Sequence, residues 1–448
     1  MRDYLLLGVF FSLLPVCFFR PWIGMLVFAW ISYMNPHRFT WGVAYNFPFA
    51  MIAAGAVLAG LVFTRDRSSL PRTRETYLYI GLWALTVLTT FYAFHQDAAW
   101  EELKRVSKIL LMTTVTLLVI NDRDKLRWLF LVMALSIGLL GAKGGLFGYL
   151  TSGQWKIFGP RDSFIADNND FALVLTMALP LLLYLAHEEG RRWLRASLYA
   201  MFGLGIVATI LTFSRGGFLA LAAVAFLLLL KAKRKALAVV LATAGLVVVA
   251  AYIPQQWVER MGTIREYEDD RSATGRLNAW AMGWNMAKDR PWTGGGFQSY
   301  HWEQFVMYAP NPRDVHDVHS VYFEILGEQG FVAFGIYLGL LASCFLSLRK
   351  LKRTYGQAPE GKWVADYADM LQVSLVAFVV GGAFLGRAFF DFFFHLVAGV
   401  IILKSLAARE PAGARENVPY VIGREPALGP AVQVFPYGTS PSFPREPS

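Results

Sequence analysis

SVYFEILGEQGFVAFGIYLGLLASCFLSLRKLKR, residues 320–353, decides the fold. Its run 320–348 is almost wholly apolar and stops at the basic cluster RKLKR, 349–353. Crossing a bilayer core as a helix takes about 20 such residues. The stretch is long enough to span, and its basic flank marks a side.

The pattern recurs outward from there. Apolar runs lie at 4–34, 48–63, 77–94, 105–120, 126–142, 171–186, 195–213, 217–230, 236–253, 366–385 and 388–406. The 448 residues are 56% hydrophobic and 17% charged, against about 25% charged in a soluble domain. The dyad alternation of a membrane β-barrel is missing. The reading is an all-α polytopic membrane protein with about 12 transmembrane helices. Arg20-Pro21 interrupts the first run, which is either one kinked helix or two short ones.

Charge sets the sides. RDRSSLPRTR (65–74), NDRDKLR (121–127), HEEGRRWLR (187–195), KAKRK (231–235) and RKLKR (349–353) are basic, and such loops stay in the cytoplasm. They also suit anionic membrane-lipid heads. Alternation puts 35–47, 95–104, 143–170, the 214–216 turn and 254–319 on the other face. Both termini fall inside if 4–34 crosses once. The domains are then spans 1–9 in 1–253, a helical outer loop at 254–319, spans 10–12 in 320–410, and a disordered cytoplasmic tail at 411–448. That tail is rich in Pro, Gly and Ser. The net charge of +10 follows from the basic loops. The outer loop holds seven Lys/Arg and nine Asp/Glu, which is no nucleic-acid surface. Cys17 and Cys344 lie inside apolar runs, which excludes a disulfide framework. The N-terminal run shows no cleavage site of a secretory signal.

Cations on the outer face oppose this background, and charges within a membrane are costly. Arg215 stands in TFSRGGF (212–218), where Gly216 and Gly217 permit a tight turn and a close ligand. Lys104, Arg105 and Lys108 open a span at its outer end, with Glu101 and Glu102 as local partners at helical spacing. In GPRDSFIADNNDFA (159–172), Asp167, Asn168 and Asn169 are helix caps, while Arg161 has no such job. In GRAFFDFFFH (386–395), Arg387, Asp391 and His395 fall at i, i+4 and i+8, an arrangement that pairs Arg387 with Asp391. Guanidinium binds phosphate oxygens bidentately, so these cations suit a phosphate-bearing lipid.

The outer segment RSATGRLNAWAMGWNMAKDRPWTGGGFQSYHWEQF (271–305) has a helical period at Leu277, Trp280, Ala281, Trp284 and Met286/Ala287. Ser272 or Thr274 caps it and Asp289-Arg290-Pro291 ends it. Gly294–Gly296 can turn backbone N–H groups toward an anion. Arg276 and Arg290 join the candidate anion-binding residues. The tryptophans suit either sugar stacking or an interfacial belt.

His316 and His319 follow. His319, Phe323, Leu326 and Gly330 would share one helical face. Gly327 admits a close neighbour. A shared metal needs a third ligand, such as Asp317, His301 or His395, and no HExxH motif is present. A histidine acting as general base needs only a hydroxyl to deprotonate.

TFSRGGF (212–218), SATGRLNAWAMGWNMAKDRPWTGGGF (272–297) and HSVYFEILGEQGFVAFGIYLGLL (319–341), in this order around a long outer loop, resemble the O-antigen ligase and polymerase superfamily. The resemblance implies a GT-C-like membrane fold in the bacterial inner membrane, with its site facing the periplasm. It implies transfer of a glycan from undecaprenyl pyrophosphate to an acceptor hydroxyl without a metal or other cofactor. For ligases the acceptor is lipid A–core oligosaccharide. His319 would be the base. Arg215 and Arg161 would hold the pyrophosphate, with Arg105, Lys104, Arg276, Arg290 and His316 as further substrate contacts. A polymerase joining two lipid-linked repeats, a protein O-oligosaccharyltransferase and, from another class, a transporter remain open.

Overall fold

The computed structural model describes residues 1–232, 234–236, 271–357 and 359–409. The apolar run 236–253 (beyond its first residue), the start of the outer segment at 254–270 and the tail 411–448 lie outside them. The described chain is helical, and six helices are long and apolar enough to cross a membrane. They are α1 (Arg2–Phe19), α6 (Arg123–Leu150), α7 (Asn168–Glu188), α8 (Arg192–Leu211), α12 (Val321–Tyr355) and α13 (Lys362–Gly381, continued by one turn to Phe384). Shorter or more polar helices stand beside them: α2 (Pro21–Met34), α3 (Phe49–Phe63), α4 (Arg74–Thr90), α5 (Gln96–Val119), α9 (Arg215–Lys231) and α14 (Asp391–Ala407). Two more, α10 (Arg271–Asp289) and α11 (Trp302–Tyr308), belong to the outer segment. Composition and helices together make this a polytopic membrane protein.

Burial grades across the bundle. The apolar part of α7 is 83% buried, while that of α1 is 11% buried. Nearly every residue of α14 from Phe392 to Leu403 is buried, as suits a helix apolar all round. It packs on α5, α12 and α13. Lipid gives apolar side chains no reason to cluster, so close backbone approach must hold such helices together. On α6, Gly141, Gly145 and Gly148 supply it by abutting α8 at Gly205, Leu204 and Leu211.

Arg20-Pro21 does end a helix, and the chain then reverses. A side chain at Gly24 would meet the Cys17 backbone at 2.9 Å, so α1 and α2 form an antiparallel hairpin. The Asp3 carboxylate accepts from the Gly42 N–H at 2.9 Å and the Ala44 N–H at 3.2 Å. Run 4–34 is therefore two antiparallel helices. The start of α1 lies with 35–47, so the single crossing on which both termini would fall inside does not form. Proline's missing N–H explains the break; the fold-back rests on the small residue facing Cys17.

The basic loops do gather at one end, where local acids neutralise the half-buried cations. Lys125 sits 2.8 Å from Asp66 and 3.3 Å from Asp122. Arg127 meets Glu189 at 2.7 Å, and Arg123 meets Glu188 at 2.9 Å. Lys231 and Lys352 share Asp369. Lys404 reaches the fully buried Glu75 at 2.9 Å, and Ser343 and Ser347 also donate to that carboxylate. The hydrogen bonds from Arg191 hold the Glu189 carboxyl down at about 2.

Candidate active site

The opposite end is assembled from five segments. Ser214 caps α9 by accepting from the Gly217 N–H at 3.1 Å. This makes Arg215 the first helical residue. Phe213 enters the turn with φ 57°, an unusual conformation for an aromatic residue. Asp167 caps α7 as expected, accepting from the Asn169 N–H at 2.8 Å. Asn168 instead donates to the Thr212 carbonyl at 2.9 Å, tying α7 to the Arg215 turn. Gly216 packs on Phe384 and Gly217 on Ala172. These glycines accommodate neighbouring protein, where close approach of a ligand was expected.

Arg387 does not pair with Asp391. Its Nε and Nη2 both reach Asp170 Oδ2, at 2.8 and 2.7 Å. Residues 385–390 are not helical, so the i, i+4 geometry never forms. Asp391 begins α14 and accepts from the Phe392 N–H at 2.8 Å. His395 lies buried, 2.6 Å from the Tyr33 hydroxyl. Beside Arg387, Ala388 N–H donates to Glu324 Oε2 at 3.1 Å, and Gly386 lies against Val318 and the His319 N–H. One short loop thus touches α7, the start of α12 and the approach to His319.

His319 lies before α12, since Ser320 is the cap residue. It takes φ 39°, so the shared face with Phe323, Leu326 and Gly330 is corrected. Such backbone strain in a bulky residue persists only where its surroundings impose it. Here Trp280 Nε1 donates to the Val318 carbonyl at 2.7 Å, and its ring stacks on Phe323 at 5.0 Å. The imidazole stays 37% exposed, with Nδ1 3.8 Å from Asp317. His316 turns elsewhere: its Nδ1 is 2.8 Å from Asp314 and its ring packs on Gly275. Among the described residues no group of three or more His, Cys, Asp or Glu could hold a metal ion.

The outer segment clamps this strap. Gly330 takes φ 79° and divides α12 into 321–329 and 331–355. The first piece would leave its last carbonyls unsatisfied. Gly295 and Gly296 N–H groups satisfy them, reaching Gly327 O at 2.9 Å and Glu328 O at 2.7 Å, while Gly294 N–H goes to Arg290 O at 2.8 Å. The triple-glycine loop therefore caps a helix, and its amides are not turned to an anion. Helix α10 ends at Asp289 and buries Met286 and Ala287 as expected, together with Gly275, Ala279 and Met282. Leu277 and Trp284 are exposed.

The cations now divide by surroundings. Arg215 is at the α9 start, and half-buried Arg276 is one turn from Trp280 on the side of the His319 strap. Arg387, expected from sequence to pair with Asp391, is held by Asp170 and follows Gly386, which lies against the His319 N–H. Arg290 donates to the Tyr92 carbonyl and lies 4.3 Å above the Phe94 ring, which fixes the outer segment to the α4–α5 turn. Lys104 pairs with Glu101 at 2.7 Å and Arg105 pairs with Glu102, both exposed. Arg161 is exposed on the 151–167 loop, next to Asp162, which accepts from Tyr45. Sequence reasoning missed Asp170, a carboxylate in the first turn of α7 whose only signal was a third acidic or amide residue after the cap.

Residues 200–338 match the model of the O-antigen ligase family, and residues 1–190 match a family of unknown function. No curated protein is significantly similar to the chain. The first match holds Arg215, Arg276, His316 and His319; Asp170 and Arg387 lie outside it.

Proposed function

Through residues 200–338 the chain belongs to the O-antigen ligase superfamily, and from that premise we propose that it transfers a glycan from undecaprenyl pyrophosphate to a hydroxyl of lipid A–core oligosaccharide. The setting is a GT-C-like fold in the bacterial inner membrane, with the site at the periplasmic face. The observation that carries the reading is His319. It is a partly exposed imidazole on a strained backbone, with Trp280 bonded to the preceding Val318 carbonyl and Gly386, next to Arg387, against its N–H.

The chemistry is a displacement. The acceptor hydroxyl oxygen bonds to the anomeric carbon while His319 takes its proton. The bond from that carbon to the pyrophosphate oxygen breaks, and undecaprenyl pyrophosphate leaves with the electron pair. Guanidinium groups at Arg215, Arg276 and Arg387 stabilise the charge that develops there, in the manner of a preorganised anion hole. No metal is required by this scheme. Attack opposite the leaving group inverts the anomeric configuration.

Reconstitution with a lipid-linked glycan and lipid A–core tests this, with wild type, His319→Ala and Arg215→Ala, each with and without chelator. Product on lipid A–core that survives chelator and vanishes in His319→Ala is expected. Longer lipid-linked chains instead would make the protein a polymerase. Retained anomeric configuration, or full activity in His319→Ala, sinks the mechanism.

A further inference from the structure

Three cations at the end opposite the basic loops have no acidic partner among the described residues. Arg38, Lys143 and Arg161 form no ion pair with any described residue. Arg38 lies 4.8 Å over the Tyr45 ring, with Nη1 3.3 Å from both the Tyr45 carbonyl and Asn46 Oδ1. Its Nε and the Nδ1 of neighbouring His37 are buried without a hydrogen-bond partner. Lys143, on α6, lies 4.4 Å over the Phe39 ring. Tyr45 donates to Asp162, which brings the loop carrying Arg161 to the same place. Neutral rings and carbonyls position Arg38 and Lys143 without neutralising them, and the Asp162 carboxylate nearby is taken by the Tyr45 hydroxyl.

The surroundings fit the depth of lipid headgroups. Trp41, Val43, Trp155 and Phe158 are all more than half exposed around the patch, and Trp at such positions marks the membrane–water boundary. Arg2 stacks on Trp41 at 4.9 Å and Lys156 on Phe158 at 5.3 Å. A cation at this end opposes the charge bias that orients membrane proteins, so topology does not explain it. A chain cation seated on an aromatic ring keeps its polar edge for an anion, and Arg in particular offers a fork to phosphate.

We propose that Arg38, Lys143 and Arg161 bind the phosphate of a membrane-lipid headgroup, with the acyl chains lying along α1, α2 and α6. The site falls entirely within the 1–190 segment matched to a family of unknown function. None of its three cations is given a step in the reaction assigned above, and it does not depend on that reaction.

Native mass spectrometry of the full chain in non-ionic detergent tests it. The probes are phosphatidylglycerol, lipid A, diacylglycerol as a lipid without phosphate, and inorganic phosphate. Wild type should retain phosphatidylglycerol over diacylglycerol, while retention of lipid A alone would mark the acceptor site of the reaction above and overturn a separate lipid site. R38Q/K143Q should retain roughly ten-fold less, the order expected for losing two charges near an anionic headgroup. R38K/K143R should retain close to the wild-type amount, and R161Q, on an exposed loop, should show a smaller loss. Equal retention in wild type and R38Q/K143Q overturns the proposal. So does equal retention of diacylglycerol, or displacement of the lipid by inorganic phosphate, which would make this a free-anion site.

Discussion

The two ends of the helix bundle treat positive charge in opposite ways. At the basic end, Lys125, Arg127, Lys231 and Lys404 are half-buried or deeper and each meets a carboxylate. At the other end Lys104, Arg105 and Arg387 also meet carboxylates, but Arg38, Lys143 and Arg161 meet none among the described residues. The first arrangement neutralises the charge that topology requires. The second leaves charge available for an anion. The difference is visible in the backbone too: Phe213, Gln298 and His319 take positive φ around the candidate site. If the comparison is right, substitutions at one end change activity and substitutions at the other change stability.

The largest effect should come from His319→Ala. Loss of a general base costs about 10²–10⁴-fold in rate, with the melting temperature near wild type. A variant that keeps its turnover but melts early would place His319 with the structural residues. Glu75→Ala should do the reverse, because it strands Lys404 and two serine hydroxyls in the bundle. Breaking a buried pair costs about 3 kcal/mol, read as a lower midpoint in denaturant with unchanged turnover per folded molecule. Glu75→Leu with Lys404→Met should recover most of that loss, since the pair is removed whole. A double variant no more stable than Glu75→Ala breaks this half of the comparison.

Much of this was legible in the sequence because lipid imposes simple rules. Apolar length gave the helices, proline gave the break at Arg20-Pro21, and Asp167 gave a cap. What was misread shares one cause: local spacing was trusted where tertiary contacts decide. Arg387 and Asp391 are four apart, but the i, i+4 rule presupposes a helix, and 385–390 is a loop that Asp170 and Glu324 hold. Gly294–Gly296 offered amides to an anion, but the kink at Gly330 creates orphan carbonyls that claim them. On α10 the apolar period marked Leu277 and Trp284, which are exposed, as well as Met286 and Ala287, which are buried beside Gly275, Ala279 and Met282. In a bilayer and its interface, apolar does not mean inward.

Asp170→Asn should have an intermediate effect. Asp170 touches no reacting atom in the proposed scheme; it is a positioning residue for Arg387. Without its charge the guanidinium keeps its place less well, and kcat/KM should fall about ten-fold. The change should appear mainly in KM for the lipid-linked donor, because Arg387 is assigned to the pyrophosphate. Equal KM with reduced stability would show that the pair only braces α7 against the 385–390 loop.

The smallest effect concerns pH and the unpaired cluster. Burial, helped by the Arg38 charge, lowers the His37 pKa from 6.5 to about 4. Between those values the unfolded chain binds the proton and the folded chain does not. The contribution is therefore present above pH 6.5 and is lost as pH falls toward 4. Melting temperature of the detergent-solubilised protein should drop across that window in wild type and drop less in His37→Gln, with little difference at pH 8. Identical slopes would mean that His37 already has a counter-charge, and that this corner is closer in character to the basic end than its contacts suggest.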